Sequence, residues 1–329
     1  MKEQKEQLNW LAILRGWGVL LVVIFHSFTY EENALTPILS LYNMVFDFRM
    51  PLFFFISGFL LYYTKVRNGS DFVSVLKTRV PRIIYPYLSL TLLVFLLKIA
   101  FVFLVKRPVD FSFQGLLDCF LYPINNPSRH LWFLNAILIY FLCYPIVKIG
   151  LKNKYTIFLS LIILLALYLF VPKIYFLGLS EVSKYFIFFF TGAVFSKYDL
   201  QQYLKNKLAA ILVFGLFVFE ILFDFSFILH SLTGIYLSIC FALLSARIFP
   251  NLFYSFRNYY YQIYLLSSIF QSFITYGYVR VENNFLLLLL IFAIATITGL
   301  YLPILVAKIV KRIDWKPLLL ILGYQKKIY

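Results

Sequence analysis

The chain has 329 residues, of which 62% are hydrophobic, 21% aromatic and only 13% charged, against about 25% charged in an ordinary soluble domain. With a mean hydropathy of +0.86, this excludes a soluble globular protein and leaves enough apolar residues for about ten membrane-crossing helices of about 20 residues each. The net charge of +16 does not point to nucleic acid, because the basic residues are scattered through short loops between apolar runs, where they act as an orientation signal.

The predicted fold class is therefore an all-α integral membrane protein. One membrane domain over 1–329 is expected, since no internal repeat, low-complexity linker or long polar stretch marks a second. In chain order, apolar runs bounded by charge, Pro or Gly predict spans at roughly 9–29, 41–63, 83–105, 131–149, 155–171, 182–197, 207–224, 229–246, 256–278 and 284–307. Lys2 and Lys5 precede the first run as in a signal peptide, but Glu31, Glu32 and Asn33 follow it where small cleavage-site residues belong, so an uncleaved helix is expected. With the N-terminus in the cytoplasm, 21 of the 30 Lys and Arg fall in inside segments, six fall outside, and Arg15, Arg49 and Lys98 lie within spans. That asymmetry predicts ten transmembrane helices with both termini cytoplasmic. Cys119, Cys143 and Cys240 form no disulfide framework or metal-ligand spacing, and no metal is expected.

An ionisable side chain within a span is costly unless it pairs or faces a wet cavity, so each is a functional candidate. Arg15 and His26 share the first span, 11 residues apart. At about 100° per residue that spacing returns to within about 20° of three full turns, so both point the same way, about 16 Å apart along the axis. In the predicted orientation Arg15 lies toward the cytoplasm and His26 near the external mouth. The plainer alternatives are an arginine reaching lipid headgroups and an interfacial histidine bonded to a backbone carbonyl.

The second span is entered through Phe48-Arg49-Met50-Pro51-Leu52-Phe53-Phe54-Phe55-Ile56-Ser57-Gly58. Pro51 suits a first helical turn, and Ser57 and Gly58 suit close helix packing. Asp47 can pair with Arg49 at the interface. Lys77-Thr78-Arg79-Val80-Pro81-Arg82 follows on the cytoplasmic side. Its two arginines can grip phosphate oxygens, a task that guanidinium forks suit better than ammonium groups, or the cluster serves only lipid headgroups. The longest external connection, 106–130, carries Gln114, Asp118, Asn125, Asn126, Arg129 and His130, and leads into Leu131-Trp132-Phe133-Leu134. Amides beside an aromatic ring at a membrane mouth suit a sugar, although Trp132 also fits an aromatic belt. Arg49, Asn125, Asn126, His130 and Trp132 are the expected contacts of such a sugar. Glu220 and Asp224, four apart in the seventh span, are predicted to share a face open to Lys98 or to a pocket.

These motifs, in this order, resemble the integral-membrane acyltransferase 3 family. The residues carrying the resemblance are Leu14-Arg15-Gly16 with His26, Met50-Pro51-Leu52-Phe53-Phe54-Phe55-Ile56-Ser57-Gly58-Phe59, Arg79-x-x-Arg82 followed by Tyr85-Pro86, His130-Leu131-Trp132-Phe133-Leu134 and, more weakly, Tyr260-Tyr261-Gln262-Ile263-Tyr264-Leu265. The resemblance implies ten membrane helices and transfer of an acyl group from cytoplasmic acyl-CoA to a hydroxyl of an extracytoplasmic or lipid-linked glycan. Acetyl-CoA is the expected donor, and the cell (cytoplasmic) membrane the expected location. It places Arg15 and His26 at the catalytic positions and Arg79 and Arg82, with Lys77 beside them, at the donor. A histidine of near-neutral pKa can take the proton of an attacking hydroxyl, and Arg15 can stabilise the oxyanion or hold the donor. Pro51 stands where many members carry an acidic residue, which resembles the shorter Met-Pro branch of polysaccharide acyltransferases and leaves the partner of His26 open. Ser267 stands near the place of a second histidine in other members. No hydrolase-like domain is appended, so the transfer is expected to finish within the membrane domain. A glycan or acyl-group transporter is the rival class, and a structural or sensing membrane protein a third.

Overall fold

The structure is a computed structural model that describes residues 2–28, 45–102, 109–204, 206–275 and 285–324, with side chains from Asn9 onward in the first stretch and from Leu286 in the last. The candidate residues Glu31, Glu32, Asn33, Lys106, Arg107, Lys205, Arg280, Lys326 and Lys327 lie outside the described residues, as do the side chains of Lys2 and Lys5. The described helices are α1 (Lys2–Ser27), α2 (Arg49–Leu61), α3 (Phe72–Arg79), α4 (Pro81–Ala100), α5 (Phe113–Leu121), α6 (Trp132–Leu142), α7 (Tyr144–Gly150), α8 (Lys154–Phe170), α9 (Leu179–Lys197), α10 (Lys207–Phe223), α11 (Phe227–Ile248), α12 (Tyr260–Thr275), α13 (Phe285–Ile313) and α14 (Lys316–Ile321). Among the described residues there is no strand.

Among the described residues, five stretches are long and apolar enough to cross a membrane: Asn9–Ser27, Phe72–Ala100, Phe176–Lys197, Phe227–Ile248 and Leu286–Ile313. A sixth is the pair Arg129–Leu142 and Tyr144–Gly150, bent by 64°. The predicted span 131–149 is therefore broken. Pro145 has no amide hydrogen to give the preceding turn, and α6 ends two residues before α7 begins. The segment 64–82, expected as a loop, is largely helical: a π-turn at Tyr62–Val66, then α3, which meets α4 across Val80 alone. Asp224 does not share a helical face with Glu220. It caps α10 in the left-handed region, at φ 46°, which turns its side chain off the helical register.

The chain divides into two compact units, Met1–Ile56 with Tyr198–Lys308, and Ser57–Lys197 with Ile309–Tyr329. In the first, α1 is a core helix, with Leu11, Ile13, Leu14, Val19 and Val23 buried. It runs antiparallel to α11: Asn9 donates to Pro250 O just past the end of α11 (3.2 Å), and Trp17 Nε1 donates to Ser238 Oγ within it (3.1 Å). It runs parallel to α12, since Arg15 lies over the Tyr260 ring and Gln271 Nε2 donates to Val23 O (2.7 Å). A methyl on Gly16 would sit 2.9 Å from Arg257 Cβ and 3.0 Å from Phe253 Cβ, which shows how closely α1 passes the turn before α12. On α10 the burial pattern is inverted. Ile211, Leu212, Phe214, Leu222 and Phe223 are exposed, while Glu220 is buried, the arrangement expected when the exterior solvent is lipid.

In the second unit α6 and α9 run parallel. Asn135 Nδ2 donates to Leu177 O at the approach to α9, and Tyr140 OH to Val182 O (2.6 Å), the same sequence offset twice. Gly58 of α2 meets the backbone of α9, where an added methyl would stand 1.8 Å from Phe189 O. On α8, Phe158, Leu159, Ile162, Ile163, Leu169 and Phe170 are exposed, an apolar face suited to lipid.

Candidate active site

His26 is half-buried in the last turn of α1. The residue after it is fixed by two other helices: Gln271 of α12 donates to Ser27 Oγ (2.7 Å) and Val23 O (2.7 Å), and Thr296 Oγ1 of α13 lies 3.0 Å from Ser27 Oγ. Val23 O only accepts, so the Gln271 amide must present its nitrogen there, and its Oε1 is buried with no hydrogen-bond partner among the described residues. On the other side, the Arg49 guanidinium lies 3.3 Å from the centroid of the Phe25 ring, one residue before His26. Arg49 also donates to Phe46 O (3.0 Å) and pairs with Asp47 at 3.5 Å, the interfacial pair foreseen from the sequence. The structure thus brings Arg49 to the His26 end of α1.

At the other end, Arg15 is half-buried, its guanidinium 4.9 Å from the centroid of the Tyr260 ring. Its single hydrogen bond among the described residues is Nε to Leu11 O of its own helix, at 3.4 Å. Arg257, which the sequence reading passed over except as a loop charge, is 8% exposed and sits against Gly16.

The second unit holds the remaining candidates. Arg79 ends α3 and Arg82 lies in the first turn of α4. Arg79 Nη2 donates to Thr64 Oγ1 (2.5 Å), and Arg82 Nε donates to Gly323 O (3.2 Å), beyond α14. A cation suits the C-terminus of α3, where Arg79 stands. Lys65 belongs to this cluster: burial, then the charge of Arg79, push its pKa down, while Asp71 acts the other way. Lys77 is exposed on the last turn of α3.

On the connection, Asn125 is exposed, whereas Asn126 is 2% exposed and already satisfied. Its Nδ2 donates to Thr91 Oγ1 (2.8 Å) and Cys119 O (3.2 Å), and its Oδ1 accepts from Ser128 N (2.8 Å). Asn126 therefore shapes the connection. His130 is half-buried in the turn Arg129–Leu131, and the Trp132 ring lies 5.3 Å from that of Tyr185.

Two further polar groups, Glu220 and His230, are buried in the first unit. Glu220 is 3% exposed, with Oε2 accepting from Ser226 N (2.9 Å), so it organises the turn between α10 and α11. His230, in the first turns of α11, stacks on Phe217 (4.7 Å, 19°) and lies 6.1 Å from the Phe48 ring. A histidine opening an apolar helix was the available signal. Among the described residues no group of three or more His, Cys, Asp or Glu could hold a metal ion.

The sequence model of the acyltransferase 3 family, described as an acyltransferase domain, matches residues 8–308, and the chain belongs to that family. The family and the apolar helices together make it a multi-pass membrane acyltransferase. No curated protein and no solved structure matches the chain.

Proposed function

We propose that the protein transfers an acyl group, acetyl first among the choices, from cytoplasmic acyl-CoA to a hydroxyl of an envelope polysaccharide or its lipid-linked precursor. It does so in the cell membrane as a single domain of ten spans, with both termini cytoplasmic. The observation that carries the reading is the build of α1, with a half-buried histidine at one end, set between Phe25, against which Arg49 lies, and Ser27, which Gln271 holds, and at the other end an arginine lacking an acidic partner among the described residues. Helix directions support the ten-span count. A first span must oppose an eighth and accompany a ninth, as α1 opposes α11 and accompanies α12. A fourth must accompany a sixth, as α6 accompanies α9.

In this mechanism His26 removes the proton of the acceptor hydroxyl as its oxygen attacks the thioester carbonyl. The new C–O bond forms, the C–S bond breaks, and the proton leaves with the CoA thiol. A general base works within hydrogen-bond reach of its proton. The unbroken helix sets Arg15 about 16 Å along the axis from His26, too far to serve the same oxyanion. Arg15 therefore holds the donor, and the guanidinium at the reacting end is Arg49. Asn125, His130 and Trp132 keep the acceptor role, with membrane lipids around the whole.

The deciding experiment is release of free CoA from acetyl-CoA by purified protein supplied with acceptor glycan. An acyltransferase releases thiol in step with product, whereas a transporter releases none. The paired change Arg79→Ala with Arg82→Ala is expected to raise the donor KM about tenfold or more, the worth of a charge-assisted hydrogen bond, with kcat at saturating donor much less affected. An unchanged donor KM would remove these arginines from donor binding.

A further inference from the structure

We propose that Arg15 and Arg257, with the Tyr260 ring beneath Arg15, form a phosphate-binding site at the Arg15 end of α1. The proposal rests on the acyltransferase reading only in taking the phosphates of the acyl-CoA donor as one source of the ligand, an anionic lipid headgroup being the other.

The site is built before any ligand arrives. Arg257 directs Nη1 to two backbone carbonyls, Pro250 O (2.8 Å) and Leu252 O (3.1 Å), and Asn9 holds the same Pro250 carbonyl from α1. Those bonds fix the guanidinium in a buried position, yet its Nε is buried without a partner, and its Nη2 has none among the described residues. Arg15 is complementary. The Tyr260 ring takes the face of its guanidinium, which leaves the edge donors, and both Nη atoms lack a partner among the described residues. Gly16, where an added methyl would stand 2.9 Å from Arg257 Cβ, lets the two elements touch, and Tyr260 stands three residues beyond Arg257.

Neither arginine forms an ion pair with a described residue. Two permanent cations brought together at low exposure repel each other, and each half-buried donor left unmade carries a desolvation cost. An anion with several acceptor oxygens resolves both at once. A tetrahedral phosphate can accept from two guanidinium forks in different planes, which a flat carboxylate does less well.

The test uses the full-length protein in phosphatidylcholine nanodiscs, with and without phosphatidylglycerol, and compares the wild type with Arg257→Gln and Arg257→Lys. Affinities for CoA and for inorganic pyrophosphate are measured, along with the lipid-induced shift in melting temperature. If the donor supplies the phosphate, Arg257→Gln weakens CoA binding about tenfold or more, pyrophosphate competes with CoA, and Arg257→Lys falls between. If a headgroup supplies it, CoA affinity is unchanged and the stabilisation by phosphatidylglycerol is lost in Arg257→Gln. Should Arg257→Gln fail to fold, Arg257→Lys, which keeps a donor for the Pro250 and Leu252 carbonyls, carries the comparison. A folded variant with both CoA affinity and lipid stabilisation unchanged overturns the site. Absence of CoA release by the wild type would overturn the acyltransferase reading separately, since pyrophosphate binding is scored without turnover.

Discussion

His26→Ala protein is expected to fold, to bind CoA as the wild type does, and to transfer acyl groups about 10²–10⁴-fold more slowly, the usual contribution of a positioned general base. Folding should survive because the groups that anchor this end of α1 are its neighbours: Ser27, Gln271, Thr296 and the Val23 carbonyl hold it without the imidazole. Initial rates of product formation, set beside CoA affinity and the melting temperature of the same preparation, check the expectation. A well-folded His26→Ala enzyme with a near-normal rate would remove His26 from the chemistry and return the proton-transfer role to another group, His230 being the buried histidine left in the same unit.

Gly58→Ala is expected to destabilise the second unit markedly. The added methyl would lie 1.8 Å from the carbonyl oxygen and 2.7 Å from the carbonyl carbon of Phe189. Both are backbone atoms of α9, so no side-chain rotation relieves the clash, and α2 and α9 must move apart. Overpacking of an interior costs about 1–3 kcal/mol and occasionally more, and this case belongs at the upper end. The control is Gly215→Ala on α10, where nothing lies within 4 Å of the added methyl and a neutral or slightly stabilising result is expected. Melting temperatures in one detergent decide it. Equal stability of the two variants would mean that α2 and α9 do not touch at Gly58.

Helix content and the Arg15–His26 relation were legible because both depend on short-range regularities. Apolar runs force backbone groups to bond within the run, and a continuous helix converts sequence spacing directly into angle and rise. Proline was read less well. Pro145 coincides with the break between α6 and α7, yet Pro86 lies inside α4 and Pro303 inside α13, each within one continuous helix. Which proline ends a helix depends on what satisfies the freed carbonyl, and that is a tertiary matter. The same limit hid Arg257, which in sequence is one more loop cation. Only the passage of Gly16 against it turns a loop charge into a buried one. Asn126 failed in the opposite direction. A polar residue in a connecting segment suggests exposure, but its amide is held by Thr91, far away in sequence on α4.

The parallel pairing of α1 with α12 also has a genetic consequence. Deleting one residue between Arg15 and His26 would leave composition, hydropathy and helical length nearly untouched. It would nonetheless swing every later side chain by about 100° and draw it back about 1.5 Å. Ser27 would leave Gln271 while Arg15 stayed on Tyr260. Conservative exchanges along this stretch alter single contacts, but an in-frame deletion puts the two ends of the pair out of phase. Mutational scanning should therefore tolerate Val-to-Ile and Leu-to-Met exchanges here and reject almost every single-codon deletion.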